Sequence, residues 1–213
     1  MFFLLFGAGK TAALDALAGH IPGLATHDFD EIGVPKGADA AWRQRSNEVW
    51  VRRALQYQDE GTDLLLAGQT PFGELLATPS APLLEALSAC LIDCDDETRI
   101  MRLRARGPEW LDAAALRNHL GWARWMRRHA QDPAWRVDVI KRADPAGAMR
   151  WERWSDWLVG DPRWRVHVID SSRLQAGQVA DEVTRWIAQG RADLRAGTHP
   201  LQHWADDAER RPR

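Results

Sequence analysis

The chain has 213 residues and a formal net charge of −2, with 45% apolar and 27% charged residues. That size and balance suit one soluble α/β domain with a sizeable core. The near-neutral charge argues against a global basic field for nucleic acid, and no apolar run approaches the roughly 20 residues of a membrane span. The two cysteines, Cys90 and Cys94, lie four apart in one apolar segment. On a strand they share a face but are too far apart to bridge, which predicts reduced core thiols and a cytoplasmic protein. The opening apolar stretch lacks a basic leader and is interrupted by Lys10, so it does not read as a signal peptide. Twelve tryptophans stand against one tyrosine. Most fall in helical patterns and predict packing, with Trp122 and Trp125 as candidates for stacking on a ring in a cleft.

The fully apolar run Phe2 to Phe6 predicts a buried first strand, halted at Gly7. Gly9-Lys10-Thr11 follows and leads into a helical pattern over residues 10–18. Strand, glycine turn, Gly-Lys-Thr and helix is the local order of a phosphate-binding loop. Glycines let backbone N–H groups turn onto a phosphate, the helix N-terminus adds positive potential, the lysine reaches the β/γ-phosphates and the threonine ligates Mg²⁺. The full pattern, G-x-x-x-x-G-K-[ST], would place its first glycine at Leu4; with Gly7 in that role the loop is three residues short.

A short second strand over residues 23–26 ends in His27-Asp28-Phe29-Asp30-Glu31. Asp28 and Asp30, two apart, share a face if the segment is extended. In an open parallel sheet ligands bind beyond the carboxyl ends of strands, which makes both acids site candidates. A long helix is predicted over residues 38–59, then a buried strand over 63–68 that opens into Gln69 and Thr70. Short helical pieces around 73–77 and 82–87 lead to a fourth strand over 89–93. The next helix opens on Asp95-Asp96-Glu97, as the macrodipole prefers, and carries Arg99, Arg102 and Arg106 on one face. A helix over residues 109–130 ends in Arg124, Arg127 and Arg128, and another is predicted over 145–158 with three tryptophans. A fifth strand over 163–169, a loop Asp170-Ser171-Ser172, and a closing helix over 178–188 complete the pattern. From Arg191 the chain is polar and predicts a frayed tail. Strands alternating with helices predict an α/β fold with a mainly parallel five-stranded sheet and helices on both faces, in one domain over 1–190 with a tail over 191–213.

Phe-Gly-Ala-Gly-Lys-Thr, Asp28-Phe-Asp30 and Arg102-Leu-Arg-Ala-Arg106 together resemble the P-loop small-molecule and nucleoside-monophosphate kinases. The layout is most similar to the shikimate, gluconate and chloramphenicol phosphotransferase branch. The resemblance implies a three-layer P-loop NTPase fold with a helical lid over about 109–158. It implies ATP and Mg²⁺ as cofactors and a small metabolite or nucleotide as the phosphoryl acceptor. Gly7, Ala8, Gly9, Lys10, Thr11 and Ala12 would hold the nucleotide phosphates, with Thr11 on the metal. Lys10, Asp28 or Asp30, Arg102 and Arg106 would act on the transferring group, the acid as base and the arginines as a planar clamp. Gln69, Thr70, Arg124 and Arg128 would meet the substrate. A second reading from the same residues is a shortened, non-catalytic P-loop in a binding or scaffold protein. The acceptor, the choice of ATP over GTP and the oligomeric state are open at this level.

Overall fold

The computed structural model describes residues 1–17, 19–105, 107, 111–142, 144 and 147–205. These form a parallel five-stranded sheet in the order β2-β3-β1-β4-β5, with strands Phe2–Gly7, Leu24–Asp28, Asp63–Gly68, Leu87–Asp93 and Val166–Asp170 as β1 to β5. The α/β architecture with a parallel sheet is the one the alternation predicts. β1 lies at the centre, hydrogen-bonded to β3 on one side and β4 on the other. Both of its faces are covered, which is why the run is continuously apolar rather than alternating.

Phe2, Leu4 and Phe6 face one core, where α2 (Ala40–Asp59), α3 (Phe72–Leu76) and α5 (Ala113–Gln131) pack. Phe3 and Leu5 face the other, beneath α1 (Lys10–Leu17) and α7 (Ala176–Arg195). Phe2, Phe3, Leu4 and Leu5 are wholly buried, and each such side chain contributes about 1.5–3 kcal/mol of transfer free energy. α4 (Asp96–Ala105) and the short α6 (Asp138–Lys141) complete the helices among the described residues. Cys90 and Cys94 are buried free thiols, and burial pushes both pKa values up. Among the described residues no helix is long and apolar enough to cross a membrane.

Three expectations change. Of the predicted helix over 145–158, the described residues 147–158 form instead a strap of turns with one 3-10 turn, Trp151–Arg153. Its polar groups bond outward to α3 and the residues after it rather than along a helix. Arg150 N–H donates to Ala77 O at 2.6 Å, and the Arg153 guanidinium donates to Thr78 O at 2.5 Å and to Leu76 O at 3.3 Å. The Trp154 indole donates to Gly73 O at 2.9 Å and lies so close that a Cβ on Gly73 would sit 2.6 Å from its ring. The closing helix also runs past Arg191 to Arg195, and Leu201 beyond it is buried, so this part of the predicted tail is ordered structure. Arg191 is tied down by its ion pair with Asp63 at 2.7 Å. Residues 206–213 lie outside the described residues. Finally, α5 sends Trp125 and Met126 into the first core, so this part of the lid-like stretch is packed as a layer on the sheet.

Trp125, Trp154 and Trp164 surround the imidazole of His129, with ring centroids 4.6, 5.9 and 5.0 Å away. Burial pushes the His129 pKa down to about 3, against backbone groups of Trp135 and Asp132 that act the other way. The native state therefore holds this ring neutral where the unfolded chain binds a proton. Its contribution is full above pH ~6.5 and is lost as pH falls toward 3, at about 1.4 kcal/mol per pH unit for one proton. Urea denaturation between pH 7 and 4 should show this slope, and His129→Phe should remove one proton's share of it.

Candidate functional site

β1 ends at Gly7 with φ of +99°, a region that favours glycine. A Cβ there would lie 2.2 Å from the backbone oxygen of Ile92 on β4. The chain turns at once, and Ala8 N–H donates to the same Ile92 oxygen at 2.8 Å. Gly9, at φ +81°, completes the turn, its α-carbon facing open space. α1 begins at Lys10, so only Ala8 and Gly9 separate strand from helix. This two-residue connection aims the first turn of α1, including the N–H groups of Thr11 and Ala12, at the carboxyl edge of the sheet. N–H groups of a first turn lack helical acceptors and carry the positive end of the macrodipole.

Lys10 Nζ lies 3.8 Å from Asp28 Oδ2 and 3.5 Å from the exposed Thr11 hydroxyl. Asp28 is not part of a continued strand. It caps the 3-10 turn Phe29–Ile32, accepting Asp30 N–H at 3.0 Å, while Glu31 closes the capping box by accepting Asp28 N–H at 2.8 Å. The turn separates the two acids: Asp28 stands beside Lys10, and Asp30 lines a cavity of about 300 Å³ that Lys10 also borders. His27 turns elsewhere, bonded to Glu31 at 2.6 Å and to the Tyr57 hydroxyl at 2.8 Å.

The remaining walls of that cavity come from Phe29, Asp39, Trp42, Arg43, Gln69 and Trp122, among others. Trp122 and Gln69 also border a second cavity of about 480 Å³, above Gly7, with Asp93, Arg99 and His119. Gln69 Nε2 donates to Gly7 O at 3.2 Å, which ties the loop after β3 to the end of β1. Asp93, at the end of β4, accepts Arg99 Nη2 at 2.9 Å and also pairs with Arg127. Hydrogen bonding to Asp93 raises the Arg127 pKa. Arg99 lines this second cavity, and its buried Nε has no hydrogen-bond partner.

Other predicted positions do not converge here. Thr70 is buried and donates to Asn47 Oδ1 at 2.9 Å, so its hydroxyl serves the interior. Arg102 donates to the hydroxyl and carbonyl of Ser171 at 2.9 and 2.7 Å, bracing the end of β5. Arg124 pairs with Asp96 at 2.6 Å, and Arg128 lies over the Trp135 ring at 5.9 Å. Arg106 lies outside the described residues.

Arg43 and Glu74 are the main members that the sequence did not single out. Glu74 is wholly buried, and its carboxylate receives Arg43 Nε and Nη2 at 2.8 and 2.7 Å. Gln44 and Asn47, on the same helix, approach it at 3.3 and 3.4 Å. Gln44 and Asn47, three apart, are buried on the covered face of α2, and Arg43, four before Asn47, lies at its edge, polar residues where apolar ones are expected. That pattern was the available signal, but only the fold brings Glu74 to it.

No family model matches the chain, and no curated protein matches it. Among solved structures it is similar to an unliganded sugar kinase from a Janibacter species, with a TM-score of 0.56 and 14% identity over 90% of this chain and 96% of that one. It also aligns with the tunicamycin resistance protein of Deinococcus radiodurans at a TM-score of 0.49 and 14% identity, over 88% of this chain and 95% of that one. At this identity, the likeness to the first shows a shared fold.

The turn geometry gives a stability test. Gly7→Ala must strain φ and displace the Ile92 carbonyl, which should cost about 2–4 kcal/mol. Gly9→Ala meets only the φ penalty, about 1 kcal/mol. Urea denaturation of the two variants should show that order.

Proposed function

We propose that the chain is an ATP-dependent phosphotransferase acting on a small hydroxylated acceptor. The observation that carries this reading is the meeting of Lys10, Thr11 and Asp28 at the first turn of α1, beside a cavity that Lys10 and Asp30 both line at the carboxyl ends of the strands. Its support from outside the chain is the fold it shares with a sugar kinase.

The residues suit a phosphate. Lys10 and the free N–H groups of the first helical turn supply positive potential, and Gly9 leaves the approach open. Thr11 presents a hydroxyl next to Lys10, and Asp28 could hold a metal-bound water. Among the described residues no cluster of three or more His, Cys, Asp or Glu forms a metal site, so Mg²⁺ would bind chiefly through Thr11 and the nucleotide itself. Bound MgATP would supply the transferable phosphoryl group and neutralise its charge.

The chain's own residues would do the rest. Lys10 would draw the terminal phosphates to α1, with Asp28 holding its ammonium in place. Asp30, exposed on the cavity, would accept the proton of the acceptor hydroxyl. Arg99, which lines the second cavity while paired with Asp93, is better placed than Arg102 to face the transferring group, because Arg102 is turned to Ser171.

The non-catalytic reading also has an observation in its favour. The loop has only Ala8 and Gly9, and Ala8 N–H is directed to Ile92 rather than to a ligand. Equilibrium binding of MgATP separates the two. A phosphotransferase should bind at micromolar concentration, and Lys10→Ala should weaken that binding at least about tenfold while the chain stays folded. Equal binding by Lys10→Ala would remove the phosphate role of Lys10, and no binding by the natural chain would support the scaffold reading. Asp30→Asn should lower turnover by about 10²–10⁴-fold with ATP affinity nearly unchanged. Equal losses in both would remove the base role.

A further inference from the structure

The charges around the 300 Å³ cavity define what it can accept. Two cations, Lys10 and Arg43, face it, and so do two carboxylates, Asp30 and Asp39. Each cation also has a carboxylate of its own. Asp28 stands 3.8 Å from Lys10, and the buried Glu74 holds Arg43 through two hydrogen bonds. Two cations thus stand against four carboxylates, and no uncompensated positive charge is left for a ligand in the cavity. An acidic ligand would therefore meet net negative potential.

Arg43 is thus a positioned donor rather than an anion trap. Glu74 takes Nε and Nη2, the Trp122 ring lies 5.3 Å from the guanidinium carbon, and Nη1 is the donor this pairing leaves over. The walls are aromatic: Trp42 meets Phe29 edge-on with centroids 5.7 Å apart, and Trp122 stands at the boundary with the second cavity. Indole surface covers the apolar face of a ring, while Nη1, Gln69 and Asp30 can engage hydroxyl groups at its edge.

We infer that the acceptor is a hydroxylated ring without an acidic group: a neutral or amine-bearing sugar, a cyclitol or a nucleoside. This rests on the phosphotransferase reading only for the word acceptor; the binding preference stands on the cavity alone. Asp39 is the specificity-determining charge most open to test. Its Oδ1 caps α2 by accepting Trp42 N–H at 2.7 Å, and asparagine caps equally well.

The test uses ligand-observed saturation-transfer NMR on the full chain without nucleotide. One pool holds neutral sugars, amino sugars, cyclitols and nucleosides at millimolar concentration. A second holds the corresponding sugar phosphates, sugar acids and nucleoside monophosphates. The first pool should give a binder, and its acidic counterpart should bind at least about tenfold more weakly. Trp42→Leu should weaken the first binder at least about fivefold. Asp39→Asn should keep the fold and narrow the discrimination roughly threefold. Binding by the acidic pool alone or equally, no binder in either pool, or discrimination unchanged in Asp39→Asn would overturn the inference. ADP release with MgATP is followed in parallel. Binding from the first pool without ADP release refutes the phosphotransferase reading and leaves this one intact; ADP release with the acidic pool alone does the reverse.

Discussion

The closeness of β1 to β4 at Gly7 sets the geometry of everything at the carboxyl edge. β1 is the central strand, and at its last residue there is room for a hydrogen but not for a methyl group before the Ile92 carbonyl. Ala8 then bonds to that same carbonyl, so the chain cannot bulge outward into a wide loop. It must enter α1 within two residues, and this fixes where the positive end of the helix and the Lys10 ammonium arrive. A steric limit between two backbones thus decides the placement of the group on which any phosphate chemistry depends.

A second constraint is the buried Glu74. A wholly buried carboxylate is costly unless its oxygens are satisfied, and here α2 supplies Arg43, Gln44 and Asn47 to do so. The arrangement ties α2 to α3, and Gln44 extends it to Ile140 O at 2.8 Å. Arg43 is held at the cavity wall with its charge compensated from behind. The same pairing that makes the interior tolerable shapes the recognition surface outside it.

The tryptophans form a third layer of organisation. Trp125, Trp154, Trp157 and Trp164 are core residues that hold α5 and the strap over 150–157 against the sheet. Trp42 and Trp122, half-buried, are left to face the cavities. Stacking of Trp122 on Trp125, with centroids 5.0 Å apart, joins the two roles, since a buried indole supports a half-buried one.

Patterns that depend on near neighbours were legible in the sequence. The unbroken apolar run of β1, the bounds Asp63–Gly68 of β3, the strand-turn-helix order at Gly-Lys-Thr and the alternation that demands a parallel sheet all follow from local periodicity and turn chemistry. The acids after β2 were legible as candidates, though the 3-10 turn that parts Asp28 from Asp30 was not. The tertiary structure alone decided which polar groups meet. Glu74 is 31 positions from Arg43, and Ser171 is 69 from Arg102. The strap over 150–157 is the same case, since its donors find acceptors about 75 positions away and leave the helix its spacing suggested. A side chain's periodicity records which face it occupies, but its hydrogen-bond partner is whatever the folded chain brings to that face.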